Sequence, residues 1–385
     1  MNGKLLWIGD ACVATGFARA THHILEVVRR DWDVSVLGIN YYGDPHPYPY
    51  HVYPCYPGGD IFGLGRMATL LTQLRPDLLV VQNDPWNIPE YLKRAGNIPM
   101  VAKVAVDGKN CRGRGMNGIA MAVFWTKFAE VEARLGGYSG ESAVVPLGVD
   151  LNTYTPGDRL EARKQLGLSP KLHDAFIIGN VNRNQQRKRF DLCVQYFAEW
   201  LRTRKADNAY LFFHTAPTGD QGYDVKQLAQ YYGIANHLIL AEPDVGQGVS
   251  EADLPLTYRA FDVMLTTTQG EGFGLPTFEG MACGIPQIVP DWSALGELCE
   301  DAAIKVPCTT FSVTPNKVNV IGGLPDKDGV LQALDELYYK PEQREAYREA
   351  GLKLVANPRY RWENIGVAFN EALERAVMYP VKAHG

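Results

Sequence analysis

Glu271-Gly-Phe-Gly-Leu-Pro-Thr-Phe-Glu279, continuing as Gly280-Met-Ala-Cys-Gly-Ile-Pro286, sets two carboxylates eight positions apart around a glycine turn and the first turns of a helix. The preceding Phe261-Asp-Val-Met-Leu-Thr-Thr267 reads as a short apolar strand. Glu271 therefore falls on the loop beyond its carboxyl end, where open α/β sheets hold ligands. Pro276 suits a helix start, because its missing N–H would be unpaired there in any case. Glu279 then stands one turn into the helix, close enough to the loop to share a ligand with Glu271. A carboxylate so placed can accept two hydrogen bonds from a vicinal diol, the usual way in which an acidic residue reads a ribose. The layout suits a sugar and a ribose lying side by side. A bare pair of glutamates would more simply decorate a solvated helix face; the Gly-Phe-Gly-Leu-Pro between them and the Gly-Ile-Pro after them favour a ligand.

Outward from this segment, short β-rich runs alternate with helical patterns. The first set is Leu5–Ile8, Val34–Ile39, Leu78–Val81, Met100–Val106, Met121–Trp125 and Ala143–Val145; the second is Ala175–Gly179, Tyr210–Phe213, Leu238–Leu240, Asp262–Leu265 and Gln287–Val289. Strands separated by helices imply parallel, doubly wound sheets, so the expected fold is α/β with two Rossmann-like domains. The expected divisions are a first domain over 1–150, a linker over 151–158, a second domain over 159–357 and a C-terminal helical segment over 358–385. A nicotinamide dehydrogenase shares such sheets. Its Gly-x-Gly-x-x-Gly fingerprint is missing here, where Gly9-Asp-Ala-Cys-Val-Ala-Thr-Gly16 follows the first strand.

A chain of 385 residues with 46% hydrophobic and 21% charged residues is long enough for two cores without metals or disulfides. Its net charge of -5 argues against broad attraction to nucleic acid or anionic lipid, while leaving room for a local basic cleft. Seven cysteines, without a Cys-x-x-Cys pair, read as small buried hydrophobes in a reducing compartment. No signal-peptide pattern opens the sequence and no apolar run approaches the roughly 18 to 20 residues of a membrane span, so a cytoplasmic protein is expected.

The Glu271–Pro286 segment resembles the signature of the family 4 glycosyltransferases, retaining enzymes of GT-B architecture whose two Rossmann-like domains face a central cleft. Val145-Pro-Leu-Gly-Val-Asp150, followed by an aromatic and a proline, resembles the interdomain join of the same family. The resemblance covers nearly the whole chain and is strongest from Tyr258 to Glu297. It implies a helix led by Trp362 that crosses back onto the first domain, and sugar transfer from a nucleoside diphosphate donor to an acceptor hydroxyl. The donor, UDP- or GDP-linked, is a co-substrate, and no cofactor is implied. Glu279 would hold ribose, and Glu271 with Gly272, Phe273, Gly274 and Leu275 would hold the sugar.

Two basic or glycine-bearing turns could meet the diphosphate. Thr15-Gly16 opens a helix, and reads either as an ordinary capped turn or as a rest for phosphate on unpaired backbone donors; likeness to the family's first glycine loop selects phosphate at Gly16. In Asn180-Val-Asn-Arg-Asn-Gln-Gln-Arg-Lys-Arg-Phe-Asp191, Arg183 offers a planar fork and Lys188 a point charge. By charge alone this is a solvated basic loop; the step from Arg183 to Lys188 matches the family's phosphate-binding pair. Arg189 and Asn182 stand where glycines are common. Together these groups could neutralise a departing diphosphate without a divalent ion, and no Asp-x-Asp triplet follows a strand, so no metal is expected.

Asp107, before Gly108 at the end of a strand, stands near the family's histidine; it could accept the acceptor's proton or merely close a turn. The expected catalytic set is Asp107, Arg183, Lys188 and Glu271. For the acceptor, the stiff run Tyr41–Pro57 offers Tyr48, Tyr50 and His51, which either face a ligand or connect elements along the sheet edge. Lys103, Lys109, Arg112 and Arg114 lie near the same mouth on a glycine-rich, mobile segment, and could meet an anion or water. Glycan, lipid, small molecule and a flipped, modified DNA base all stay open as acceptors, as does the oligomeric state. A nucleotide-sugar epimerase and a non-catalytic sugar-nucleotide-binding protein are the alternative functions. Donor choice is expected to depend on His214-Thr215 and Pro243-Asp-Val245.

Overall fold

The computed structural model describes residues 2–13, 15–215, 222–241, 253–315 and 318–378. Two compact units divide the chain: Met1–Gly148 with Pro358–Gly385, and Val149–Asn357.

The first unit runs β1 (Lys4–Asp10), α1 (Gly16–Val28), β2 (Asp33–Ile39), β3 (His51–Tyr53), α2 (Leu64–Leu74), β4 (Leu78–Asn83), α3 (Ile88–Ala95), β5 (Met100–Val104), β6 (Met121–Phe124), α4 (Lys127–Leu135) and β7 (Ser142–Val144). All strands pair in parallel in the order β3-β2-β1-β4-β5-β6-β7, so the order reverses between β1 and β4. Covered on both faces, the central strands are apolar almost throughout. Leu5, Trp7, Val80 and Val101 point to one core and Leu6, Ile8, Val81 and Ala102 to the other, as the two-residue alternation requires. Thr15 caps α1, its hydroxyl accepting the Ala18 N–H at 3.1 Å.

The second unit runs α5 (Arg159–Gln165), β8 (Phe176–Val181), α6 (Phe190–Arg204), β9 (Ala209–His214), α7 (Val225–Tyr231), β10 (Leu238–Ala241), α8 (Leu254–Arg259), β11 (Val263–Leu265), α9 (Leu275–Ala282), β12 (Gln287–Pro290), α10 (Ser293–Leu298), β13 (Ile304–Val306), β14 (Cys308–Val313), β15 (Ile321–Pro325), α11 (Lys327–Tyr339) and α12 (Pro341–Val355). Its parallel sheet has the order β10-β9-β8-β11-β12-β13, reversing between β8 and β11, while β14 and β15 form a separate antiparallel pair. Arg163 is fully buried; it donates to Asp262 at 2.7 Å and to the carbonyls of Ala260, Leu172, His173 and Ala175. That fan of bonds ties α5 to the start of β11.

The last helix, α13 (Trp362–Met378), belongs to the first unit and lies along α1. Trp362 stacks on His23 at 4.6 Å, Phe369 meets Trp7 at 5.6 Å, and Gly366 lies so close to Val27 that an added Cβ would stand 2.5 Å from its side chain.

Candidate active site

The loops that follow β8 and β11 flank the reversal of strand order in the second unit, the place where an open α/β sheet leaves a crevice. Beyond β8 the chain makes a single 3₁₀ turn over Gln186–Lys188, then Arg189 takes up a left-handed conformation, φ 50°, before α6 begins. This φ accounts for glycine at that position in the family pattern, since a Cβ costs roughly 1–2 kcal/mol there. Arg189 offsets some of that cost by clasping Asp191 with two bonds of 2.9 and 2.7 Å. Asn184 anchors the other end of the loop, donating to the Tyr223 carbonyl at 2.7 Å and accepting its N–H at 2.9 Å.

The loop after β11 is stitched to this turn. Thr267 donates to the Arg189 carbonyl at 2.8 Å, Gln269 N–H donates to the Arg187 carbonyl at 2.9 Å, and Arg187 returns a bond to the Gly270 carbonyl at 2.8 Å. Glu271 is thereby held between two cations: one oxygen accepts from Lys188, the other from Arg187 at 3.1 Å. Its backbone N–H donates to Ser293 at 3.0 Å. Lys188 and Glu271 are both more than nine-tenths buried. Burial pushes the Glu271 carboxyl upward, but Lys188 and then Arg187 outweigh it and bring it down to about 2. Glu271 is thus a buried, ionised carboxylate bracketed by Lys188, also buried, and by the partly exposed Arg187.

Past Glu271, Gly274 stands at φ 96° and opens α9, where a Cβ would meet Leu295 at 2.4 Å. Phe273 is buried against Phe278, so of this residue only the backbone is offered to a ligand. Gly272 and Leu275 are buried beside it. Glu279 lies on α9 and is 2% exposed; its Oε2 accepts the Tyr258 hydroxyl at 2.6 Å. Arg183 is exposed on the β8 loop. Arg187 and Tyr258 were not singled out from the sequence. Arg187 was one cation among several, and Tyr258 stands 21 residues from the carboxylate it holds.

His214 ends β9, and burial lowers its pKa; residues 243–245, named with it, lie outside the described residues. The β14–β15 pair, absent from the sequence reading, braces the same region: Gln269 donates to Thr314 at 2.9 Å, and an added Cβ at Gly322 would meet the Gln269 carbonyl at 2.2 Å.

The remaining candidates belong to the first unit. Gly16 is the first residue of α1, and Asp107 is half-buried past β5. Tyr48 stacks on His22 with ring centres 3.4 Å apart, beside a surface pocket of about 250 Å³ lined by Cys12, Val13, Pro45, His46, Pro47 and Tyr48. Tyr50 is buried and its hydroxyl bonds to His22, while His51 is exposed on the edge strand β3. Lys109 and Arg112 are exposed. Gly113 and Gly115 of this segment serve close packing rather than mobility: an added Cβ at Gly113 would lie 2.0 Å from the Ala133 carbonyl and one at Gly115 2.9 Å from Pro89. Lys103, read with the solvent-facing cations, is instead completely buried. Among the described residues no group of His, Cys, Asp and Glu is placed to hold a metal, and no helix is long and apolar enough to cross a membrane.

The family model for glycosyl transferases group 1 matches residues 161–353, half of the chain and the part that carries this cluster. The chain belongs to that family. Among curated relatives of this group 1 glycosyl transferase, the D-inositol 3-phosphate glycosyltransferase of Stackebrandtia nassauensis is 30% identical over 247 residues, covering 62% of this chain and 50% of that protein. The protein of the same name from Geodermatophilus obscurus is 37% identical over 150 residues, covering 38% and 32%. The chain spans about a third to a half of the length of these relatives. Sucrose-phosphate synthase from Thermosynechococcus elongatus matches in structure with a TM-score of 0.76 at 17% identity, over 97% of this chain and 98% of that one. Anabaena HepE, in complex with UDP-glucose, matches at 0.73 and 16%, over 97% and 99%. The fold is GT-B.

Proposed function

We propose that the protein transfers a sugar from a UDP- or GDP-linked donor to an acceptor hydroxyl, with retention of configuration and without a metal ion. The observation that carries this reading is the Lys188–Glu271–Arg187 cluster at the strand reversal of the second unit, its lysine and carboxylate buried, with Glu279 on the adjoining helix. Departure of a nucleoside diphosphate builds negative charge, which fixed cations stabilise most in a dry site. Lys188 and Arg187 provide two such cations, and Arg183 a third from the solvent side. A donor diphosphate competes with Glu271 for Lys188, turning the carboxylate's oxygens toward the sugar hydroxyls. Glu279, oriented by Tyr258, accepts the ribose diol. Same-face attack, with the leaving phosphate taking the acceptor's proton, accounts for retention; Asp107 is the first unit's candidate to orient that hydroxyl. The complex of HepE with UDP-glucose favours a donor of that kind.

A mass-spectrometric screen of nucleotide sugars, with and without EDTA, tests the reading. Slow release of nucleoside diphosphate from one donor, kept in EDTA and lost in Glu271→Ala, is expected. No release from any donor, together with no thermal stabilisation by any of them, would overturn it. Asp107→Asn is expected to lower turnover far more than donor binding.

A further inference from the structure

Lys103 sits at the carboxyl end of β5 with none of its surface exposed, and its amine has no hydrogen-bond partner. It is not alone. Among the described residues, four polar atoms on this face of the first unit's sheet are buried without a partner: Trp7 Nε1, Gln82 Oε1, Lys103 Nζ and Trp125 Nε1. Gln82 is the register partner of Lys103 on β4, and the amine lies 4.5 Å from the centre of the Trp125 ring. An added Cβ on Gly9 would stand 3.0 Å from Trp7 Nε1 and 3.2 Å from Gln82 Cβ, which places that indole nitrogen beside Gln82. The first turns of α1 form the roof: Gln82 donates to the Phe17 carbonyl at 2.7 Å and to Thr21 at 3.2 Å, and Phe17 packs edge-on to Trp125. The cluster spans the β1–β4 reversal, the ligand crevice of such a sheet.

The balance of donors and acceptors says what would satisfy it. An indole N–H only donates, and the amine donates twice and accepts once when neutral and donates three times when charged, so in either state the donors outnumber the acceptors, of which Gln82 Oε1 is the fixed one. A neutral partner such as water brings as many donors as acceptors; an oxyanion brings acceptors alone and also the missing counter-charge. Among the described residues no carboxylate pairs with the amine, and burial lowers its pKa well below the ordinary lysine value. The elements packed on this face present Gln82 from β4, Trp125 after β6, Phe17 and Thr21 from α1 and Phe369 from α13, none of them titratable. We propose that this cluster is an oxyanion-binding site of the first unit, taking a phosphate or carboxylate group of a ligand with the Lys103 ammonium as its counter-ion. The inference does not rest on the sugar-transfer reading.

Titration calorimetry of the full chain with inorganic phosphate and with acetate, in two buffers of different ionisation enthalpy, tests it. Saturable binding is expected, with proton uptake that rises with pH as the amine, its pKa lowered by burial, loses its charge in the empty site. Lys103→Met is expected to weaken binding roughly tenfold to a hundredfold, while Lys93→Met, at an exposed lysine of α3, leaves it unchanged. Tighter phosphate points to a phosphate ester as ligand, tighter acetate to a carboxylate. Binding of neither anion, or binding unchanged in Lys103→Met, would overturn the proposal. Should Lys103→Met fail to fold, Trp125→Phe, which removes one N–H and keeps a ring, is expected to weaken binding instead, and unchanged binding in it would overturn the proposal.

Discussion

Replacing Glu271 with glutamine removes the one negative charge set between Lys188 and Arg187, and the size of the effect follows from the carboxyl's own equilibrium. Its pKa falls from 4.5 to about 2 on folding. That difference corresponds to about 3 kcal/mol of stability, as an order of magnitude. The pKa is depressed in the fold, so this contribution is complete above the unfolded value, near 4.5, and is lost as the pH falls toward about 2. By about pH 3.5 roughly 1.4 kcal/mol of it is already gone. Glu271→Gln is therefore expected to be less stable than wild type by about 3 kcal/mol near pH 6.5, with the gap narrowing by about 1.4 kcal/mol at about pH 3.5. For a unit of this size the narrowing amounts to roughly 3–6 °C in melting temperature. Paired thermal melts at the two pH values, followed by circular dichroism, measure it, since other acids titrate equally in both proteins. A gap that stays constant between them would refute the charge-paired burial of Glu271.

Tyr258→Phe removes the hydroxyl that holds Glu279 and is expected to raise donor KM roughly tenfold while kcat changes by less than about twofold; steady-state diphosphate release separates the two. Arg163→Met strips a buried carboxylate and four carbonyls of a donor, and an expected loss of about 3–5 kcal/mol should appear as a large fall in the urea midpoint of the second unit. Gly366→Ala sets two effects against each other. Helix propensity favours alanine by about 1 kcal/mol, while the approach to Val27 costs about 1–3 kcal/mol, so a net fall in the melting temperature of the first unit is expected and a rise would contradict the packing of α13 on α1.

The alternation of apolar runs made the two parallel sheets legible, and the glycine turn with Pro276 located Glu271 on its loop and Glu279 on its helix. The side-chain partners were less accessible, because they meet through tertiary packing. Which of Arg183, Arg187 and Lys188 reaches Glu271 depends on one 3₁₀ turn and on the left-handed Arg189, neither of which leaves a periodic trace. The proline-rich aromatic run hid β3 because three residues are too few to show alternation. Lys103 did carry a signal. It interrupts the otherwise apolar Met100–Val106, and a central parallel strand is covered on both faces, so a lysine there has no route to water.

Because α13 completes the first unit, that unit cannot finish folding in the order in which it is synthesised. The apolar groove along α1 must wait for a helix that begins at Trp362, while the second unit is one uninterrupted stretch, 149–357, and can close earlier. Trp362, the first residue of α13, follows Val28, the last of α1, by 334 positions. At ribosomal rates of about 5–20 residues per second this is a delay of roughly 17–67 s, during which Ile24, Val27 and Val28 lie open to solvent or to a chaperone.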